Sequence, residues 1–156
     1  MGLLAWIEGT QLAEFIRVSA YGYPAMITLH SLGLAIMVGL SVILSLRVLG
    51  LFSTIPFSSL YRLLKVAWVG FIVNFISGGS LFAASATAYI VDATFLIKMA
   101  MVILGAILVA VMQSMIKTAI AAGPVQEAPA NLKMVAWLTI IAWTIAMITG
   151  RLIAYL

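Results

Sequence analysis

Residues 24–49 read PAMITLHSLGLAIMVGLSVILSLRVL, and this stretch decides the fold. At ~1.5 Å per residue, a helix of that length runs about 39 Å, more than the ~30 Å hydrocarbon core of a bilayer. No acidic residue interrupts it, and its one fixed charge, Arg47, stands at the far end. Near its head lies His30, the single histidine of the chain. An ionisable group inside a membrane span is costly, so its presence points to function.

Composition carries the same reading outward. Of 156 residues, 65% are hydrophobic and only 8% charged, with a mean hydropathy of +1.26. Soluble domains carry roughly 25% charged residues, and a chain of this size cannot hide so much apolar surface from water. The lipid bilayer is therefore its solvent. The net charge of +4 is read as membrane orientation, not nucleic-acid binding, because the basic residues flank apolar spans. The absence of cysteine excludes disulfides, thiol catalysis, iron–sulfur clusters and thiolate zinc sites. One histidine and four carboxylates leave too few ligands for an ordinary metal cage within the chain.

The expected fold class is all-α: a four-transmembrane-helix bundle with an N-terminal interfacial amphipathic helix, forming one integral membrane domain over residues 1–156. Residues 1–23 are amphipathic, not spanning. They lack a basic start, and Glu8 and Glu14 follow too soon for a signal peptide, so Met1 is taken as the start of the mature chain. Thr10 would cap a short helix on which Leu12, Phe15, Ile16 and Ala20 face one way, while Trp6, Tyr21 and Tyr23 suit the headgroup level. The spans are expected at about 24–49, 66–84, 94–118 and 132–153. FSTIPFSS (residues 52–59) links the first two, with Ser58 or Ser59 as a cap, and AAGPVQEAPAN (residues 121–131) links the last two. Small residues at four-residue spacing would let backbones approach: Ser31, Ala35 and Gly39; Gly70, Asn74 and Gly78; Ala106, Ala110 and Ser114. The linkers after spans one and three carry Arg47, Arg62, Lys65, Lys117 and Lys133, against Arg17, Lys98 and Arg151 on the other side. The positive-inside rule then puts the linkers in the cytoplasm and both termini outside.

Chemistry concentrates in the outer half of this bundle. Helical spacing sets Gly33, Leu34 and Met37 on the face of His30, and the glycine would leave room beside the imidazole for something flat. Lys98, near the head of span three, and Arg151, near the end of span four, reach the same depth, with Tyr89, Asp92 and Tyr155 at the rim. One imidazole with two cations suits haem b, whose iron takes a neutral imidazole and whose propionates take cations. His30 is then the candidate metal ligand, with Lys98, Arg151, Gly33, Met37, Asn74 and Tyr89 completing the candidate cofactor site. A quinone, needing only a donor or two, fits as well. The plainer readings are a histidine bonded to a neighbouring helix carbonyl, cations snorkelling to headgroups, and Asn74 as an interhelical hydrogen bond. Met26 and Met37 are the methionines considered as a sixth haem ligand.

Longer blocks also carry a resemblance. LHSLGLAIMVGLSVILSLRVLG and GFIVNFISGGSLFAASATAYIVDATFLIKMAMVILGA resemble a large uncharacterised family of small bacterial four-helix membrane proteins. The shared positions are Leu29, His30, Gly33, Leu34 and Ala35; Arg47, Leu49 and Gly50; and Gly79, Leu81, Phe82, Ala86, Thr87, Tyr89, Phe95 and Lys98. Where that family carries Asn-Pro before the phenylalanine, this chain has Asp92-Ala93-Thr94. A bacterial inner (cytoplasmic) membrane is what the resemblance implies. More distantly, the chain is similar to haem-b-dependent membrane protoporphyrinogen oxidases and to the membrane domain of the copper-resistance D family. That similarity implies His30 as a haem ligand, with Arg47 and Lys98 as supporting cations.

The leading expectation is a haem-b-binding membrane subunit that transfers electrons or anchors a redox complex. With one histidine, the sixth ligand position falls to methionine, water or a partner chain, which favours a homo-oligomer or other membrane subunits. The alternatives are a cofactor-free structural or assembly subunit, and a small transporter or quinone-binding protein. As a stand-alone enzyme the chain lacks a nucleophile–base pair and an intramembrane carboxylate, while an oxidoreductase that lets haem do the chemistry stays open.

Overall fold

The computed structural model describes residues 2–123, 128–153 and 155. Met1 and residues 124–127, the middle of the expected last linker, lie outside the described residues. The protein is all-helical, with four helices long and apolar enough to cross a bilayer. These are α3 (Gly22–Val48), α4 (Phe57–Ala83), α6 (Ala93–Ala122) and α7 (Ala130–Leu152). Two short helices, α1 (Leu3–Glu8) and α2 (Gln11–Val18), precede them, and α5 (Ala86–Tyr89) interrupts the connection from α4 to α6.

The helix ends follow local chemistry. Thr10 caps α2 as expected, its hydroxyl oxygen accepting from the Ala13 N–H at 3.4 Å. α3 ends in a Schellman turn: Leu51 N–H donates to Leu46 O and Gly50 N–H to Arg47 O, with Gly50 at φ 104°, a conformation glycine adopts without steric cost. Asp92 caps α6 by accepting from the Thr94 N–H at 2.7 Å. The second span begins earlier than the expected 66, at Phe57, because Pro56 is extended and serves as its N-cap in place of Ser58 or Ser59. Tyr61, Arg62 and Lys65 therefore ride on the first turns of a continuous helix.

The spanning helices pack in the order α4, α3, α7, α6 around the bundle. α3 makes its broadest contact with α4, α6 with α7, and α3 and α7 join the two pairs. α4 and α6 meet only thinly, so a seam remains between them. A core of Met37, Leu44, Val48, Leu64, Val109, Met112, Ile116, Leu132 and Trp143 fills the centre. α7 is the most enclosed span, burying Leu132, Val135, Ala136, Thr139, Ala142, Trp143, Ala146 and Thr149 at helical spacing. The serines and threonines inside return their hydroxyls to the preceding turn, as Ser41 does to Met37 O at 2.6 Å and Thr139 to Val135 O at 2.8 Å. These hydroxyl hydrogens are thereby paired inside the bundle, whereas the buried Trp143 Nε1–H has no hydrogen-bond partner among the described residues.

Only one of the three expected small-residue stripes makes a close crossing. A Cβ on Gly33 would stand 2.6 Å from Asn74 N and 2.7 Å from Gly70 O, so α3 and α4 touch backbone to backbone there. The stripe Gly70, Asn74 and Gly78 faces α3, but Ser31 and Ala35 are exposed, as are Ala110 and Ser114. The inward faces of α3 and α6 run instead through Gly33, Met37, Ser41 and Leu44, and through Gly105, Val109, Met112 and Ile116. Four-residue spacing marks a stripe on a helix but leaves its phase around the bundle undetermined.

The N-terminal helices lie against the bundle at the head of α3. α2 buries Ala13 and Ile16, while Leu12 and Phe15 turn outward, so the apolar surface expected to face one way is split between protein and lipid. α1 docks on α5 through Glu8, which accepts from both the backbone N–H and the hydroxyl of Thr87 at 2.8 Å. Arg17 donates to Glu8 O at 3.2 Å and reaches Ala84 O at 3.5 Å.

Candidate functional site

α3 places His30 where α4 crosses it, and α4 fixes its ring. Nδ1 lies 3.2 Å from Asn74 O and 3.4 Å from Ser77 Oγ. A carbonyl can only accept, and the single Ser77 hydroxyl hydrogen is committed to Val73 O at 2.7 Å or Asn74 O at 3.2 Å. Both neighbours of Nδ1 are thus acceptors, and the neutral imidazole carries its hydrogen on Nδ1. Nε2 is left with its lone pair, the state in which an imidazole accepts a hydrogen bond or binds a metal. The Asn74 side chain answers in the other direction, its Nδ2 donating to His30 O at 3.4 Å. Asn74 is therefore both interhelical hydrogen bond and site wall.

The ring fits because α4 carries glycine beside it. A Cβ at Gly78 would stand 2.9 Å from His30 Cε1 and 3.1 Å from Nδ1. This corrects the expectation for Gly33: the space beside that glycine is filled by α4 backbone, and Gly78 is the residue that makes room for the imidazole.

His30 faces two adjoining cavities in the seam between α4 and α6. The larger, about 380 Å³, is apolar and lined by Phe71, Asn74, Phe75, Gly79, Phe82, Phe95, Met99 and Val102 beside His30 and Lys98. The smaller, about 150 Å³, lies toward the head of α3 and adds Tyr23, Leu81, Tyr89, Gly150 and Ile153. His30, Gly78, Phe82, Phe95 and Lys98 border both. Lys98 runs along α7, where a Cβ on Gly150 would meet its Cε at 3.4 Å. Phe82, Tyr89 and Phe95 form a stacked trio, with centroids 5.2–6.4 Å apart and planes within 16–25°. Burial, followed by the nearby Tyr23 and Asp92, holds the Tyr89 phenol above its ordinary pKa, so it keeps its hydrogen and remains a donor at neutral pH.

Of the expected site residues, the structure gathers His30, Asn74, Tyr89 and Lys98. Three stand elsewhere. Met37 is buried in the core one heptad below His30 and borders neither cavity. Gly33 is sealed in the helix crossing. Arg151 is exposed at the end of α7, whose contribution to the smaller cavity comes from Gly150 and Ile153. Arg47, implied as a supporting cation by the distant resemblance, lies at the opposite end of α3. There its Nε donates to Ile55 O at 2.6 Å and its guanidinium lies 4.2 Å above the Phe57 ring, which secures the α3–α4 loop.

Phe82, Phe95 and Met99 are the site residues that the sequence did not single out for this role, whereas Gly78 belongs to the polar stretch after Asn74 that the sequence offered as a pocket wall. The run of aromatics Phe82, Tyr89 and Phe95 was the available signal. No three histidines, cysteines or carboxylates cluster as a metal cage among the described residues. No family model, curated protein or solved structure matches the chain.

Proposed function

We propose that the protein is a haem-b-binding membrane subunit of a redox complex, with His30 as the axial ligand. The observation that carries this reading is the imidazole itself: Nδ1 faces the Asn74 carbonyl, which leaves the lone pair on Nε2, and the residue borders an apolar cavity. A hydrogen bond on one ring nitrogen orients a histidine ligand and raises the basicity of the other. The residues present suit the group. Lys98 offers a cation to a propionate, Tyr89 offers a phenol hydrogen at the rim, and Phe82 and Phe95 offer flat apolar walls. Met99 lines the same cavity and its thioether would be the chain's candidate for a second ligand, which would otherwise come from water or a partner chain. When bound, the haem supplies one-electron exchange; the chain holds the ligand nitrogen in its basic form and keeps water from the apolar wall.

We place the chain in the bacterial inner membrane with its termini and the His30 cleft on the outer side, as the basic-residue bias suggests. The test is an oxidised and dithionite-reduced absorption spectrum of the detergent-purified protein, expressed with haem supplied, beside His30→Ala. A Soret band with sharp α and β bands, lost in the variant, is the expected result. A colourless wild-type protein overturns the reading. A quinone is the second reading, favoured by the stacked trio and by a seam that opens toward lipid, where an isoprenoid tail would lie. A colourless protein that retains a quinone through purification, and loses it with His30→Ala, selects it.

A further inference from the structure

The end of the seam remote from His30 holds a different site. There α4 and α6 part again around a cavity of about 260 Å³ lined by Ser58, Tyr61, Arg62, Lys117 and Ile120. Two cations, one from each helix, and two hydroxyls converge on it, with one apolar residue. Among the described residues, other side chains make the polar contacts of this end, as Arg47 does to Ile55 O and the Thr118 hydroxyl to Ser114 O at 3.1 Å. Three of the four carboxylates, Glu8, Glu14 and Asp92, belong to the helices and connections at the other end of the bundle. The fourth, Glu127, lies outside the described residues. Between the two sites the seam is clasped by Trp68, whose Nε1 donates to Gln113 Oε1 at 2.9 Å, so the basic cavity is separate from the His30 cleft.

We propose that this cavity binds the phosphate of an anionic phospholipid headgroup. Its position argues for a lipid: it opens between two spanning helices at their polar ends, and the exposed apolar side chains Leu63 and Val66 follow along α4, where acyl chains would lie. The donors suit a phosphodiester, with Arg62 and Lys117 supplying charge and Ser58 and Tyr61 supplying neutral donors. Basic pockets between spanning helices recognise acidic headgroups in this way. A zwitterionic lipid offers the same phosphate, but its own cation would be driven against Arg62 and Lys117.

The experiment measures lipid retained by the purified full chain, using native mass spectrometry after titration with phosphatidylglycerol, phosphatidylcholine or glycerol 3-phosphate. The wild type is compared with Arg62→Gln/Lys117→Gln and with Arg151→Gln, a charge change at the opposite end. Arg62 and Lys117 are exposed, so their replacement leaves folding intact, checked by an unchanged melting midpoint in neutral detergent. Phosphatidylglycerol should bind the wild type and Arg151→Gln alike and bind the double variant roughly twenty-five-fold more weakly, about fivefold for each cation. Equal binding of phosphatidylcholine, or no loss in the double variant, overturns the proposal. Glycerol 3-phosphate that binds while phosphatidylglycerol does not would assign the site to a free phosphate ester and also overturn it.

Discussion

A single hydrogen decides what His30 can do. With Nδ1 facing only acceptors, the neutral ring should be the Nδ1–H tautomer. His30 is the one histidine of the chain, so selective ¹⁵N-histidine labelling reports on it without assignment. The expected spectrum has Nδ1 protonated and Nε2 bare; a predominantly Nε2–H ring would contradict the geometry. Gly78→Ala sets a Cβ 2.9 Å from Cε1. The tethered ring must give way, so the labelled spectrum should change and stability should fall by about 1–3 kcal/mol, the usual cost of overpacking, measured as the midpoint of detergent unfolding. Arg47 makes the matching case at the other end. Arg47→Gln removes the bond to Ile55 O and the contact over Phe57 and should cost about 1–3 kcal/mol. Arg47→Lys should restore little of it, because lysine has no Nε donor and no flat face to lay on the ring. His30 was legible in the sequence because it is the only imidazole. The role of Arg47 was not, since Ile55 lies in a loop, and Phe57 opens the helix after it, along a path that no periodicity encodes.

At the scale of elements, the N-terminal pair is held by charge as well as by apolar contact. The backbone N–H of Thr87, followed by its hydroxyl, lowers the pKa of Glu8 below its ordinary value. A depressed carboxylate contributes to docking above the pKa of the free group and loses that contribution as pH falls through the docked value. α1 should therefore sit firmly on α5 at neutral pH and loosen on acidification below the ordinary carboxylate range, with Glu8→Gln already loosened at neutral pH. Hydrogen exchange of residues 3–8 and 86–89 checks this; identical protection at both pH values in the wild type would refute it. The amphipathic character of residues 1–23 was legible, as were the four spans. The phases of those spans were not. α3 is apolar around its whole circumference, and in a bilayer both the protein interior and the lipid accept apolar side chains, so hydropathy does not distinguish them. The inward faces emerge only from where backbones touch, at Gly33 against Asn74 and Gly70. For the same reason the lining residues Phe82, Phe95 and Met99 could not be told from lipid-facing ones.

For the whole molecule, the open question of consequence is which side of the membrane each end of the α4–α6 seam occupies. The structure changes the weight of the charge count. Arg47 is buried and bonded within its loop, and Lys98 lies in the cleft beside Gly150. Setting aside these two committed cations leaves Arg62, Lys65, Lys117 and Lys133 at one end and Arg17 and Arg151 at the other, so the bias persists and its sense is unchanged. Arg17 is further engaged with the carbonyls of Glu8 and Ala84, which strengthens it. The end carrying the basic cavity should then be cytoplasmic, where anionic headgroups give a surface potential that holds lysine and arginine. The cysteine-free chain makes this directly measurable. In intact cells, Val91→Cys, between α5 and α6, should react with a membrane-impermeant maleimide. Ser53→Cys, in the α3–α4 loop, should react only after permeabilisation. The reverse pattern would turn the bundle over. The His30 cleft would then face a cytoplasmic electron donor, and the Arg62–Lys117 cavity would face the outer leaflet, so one labelling experiment fixes the side from which each site is reached.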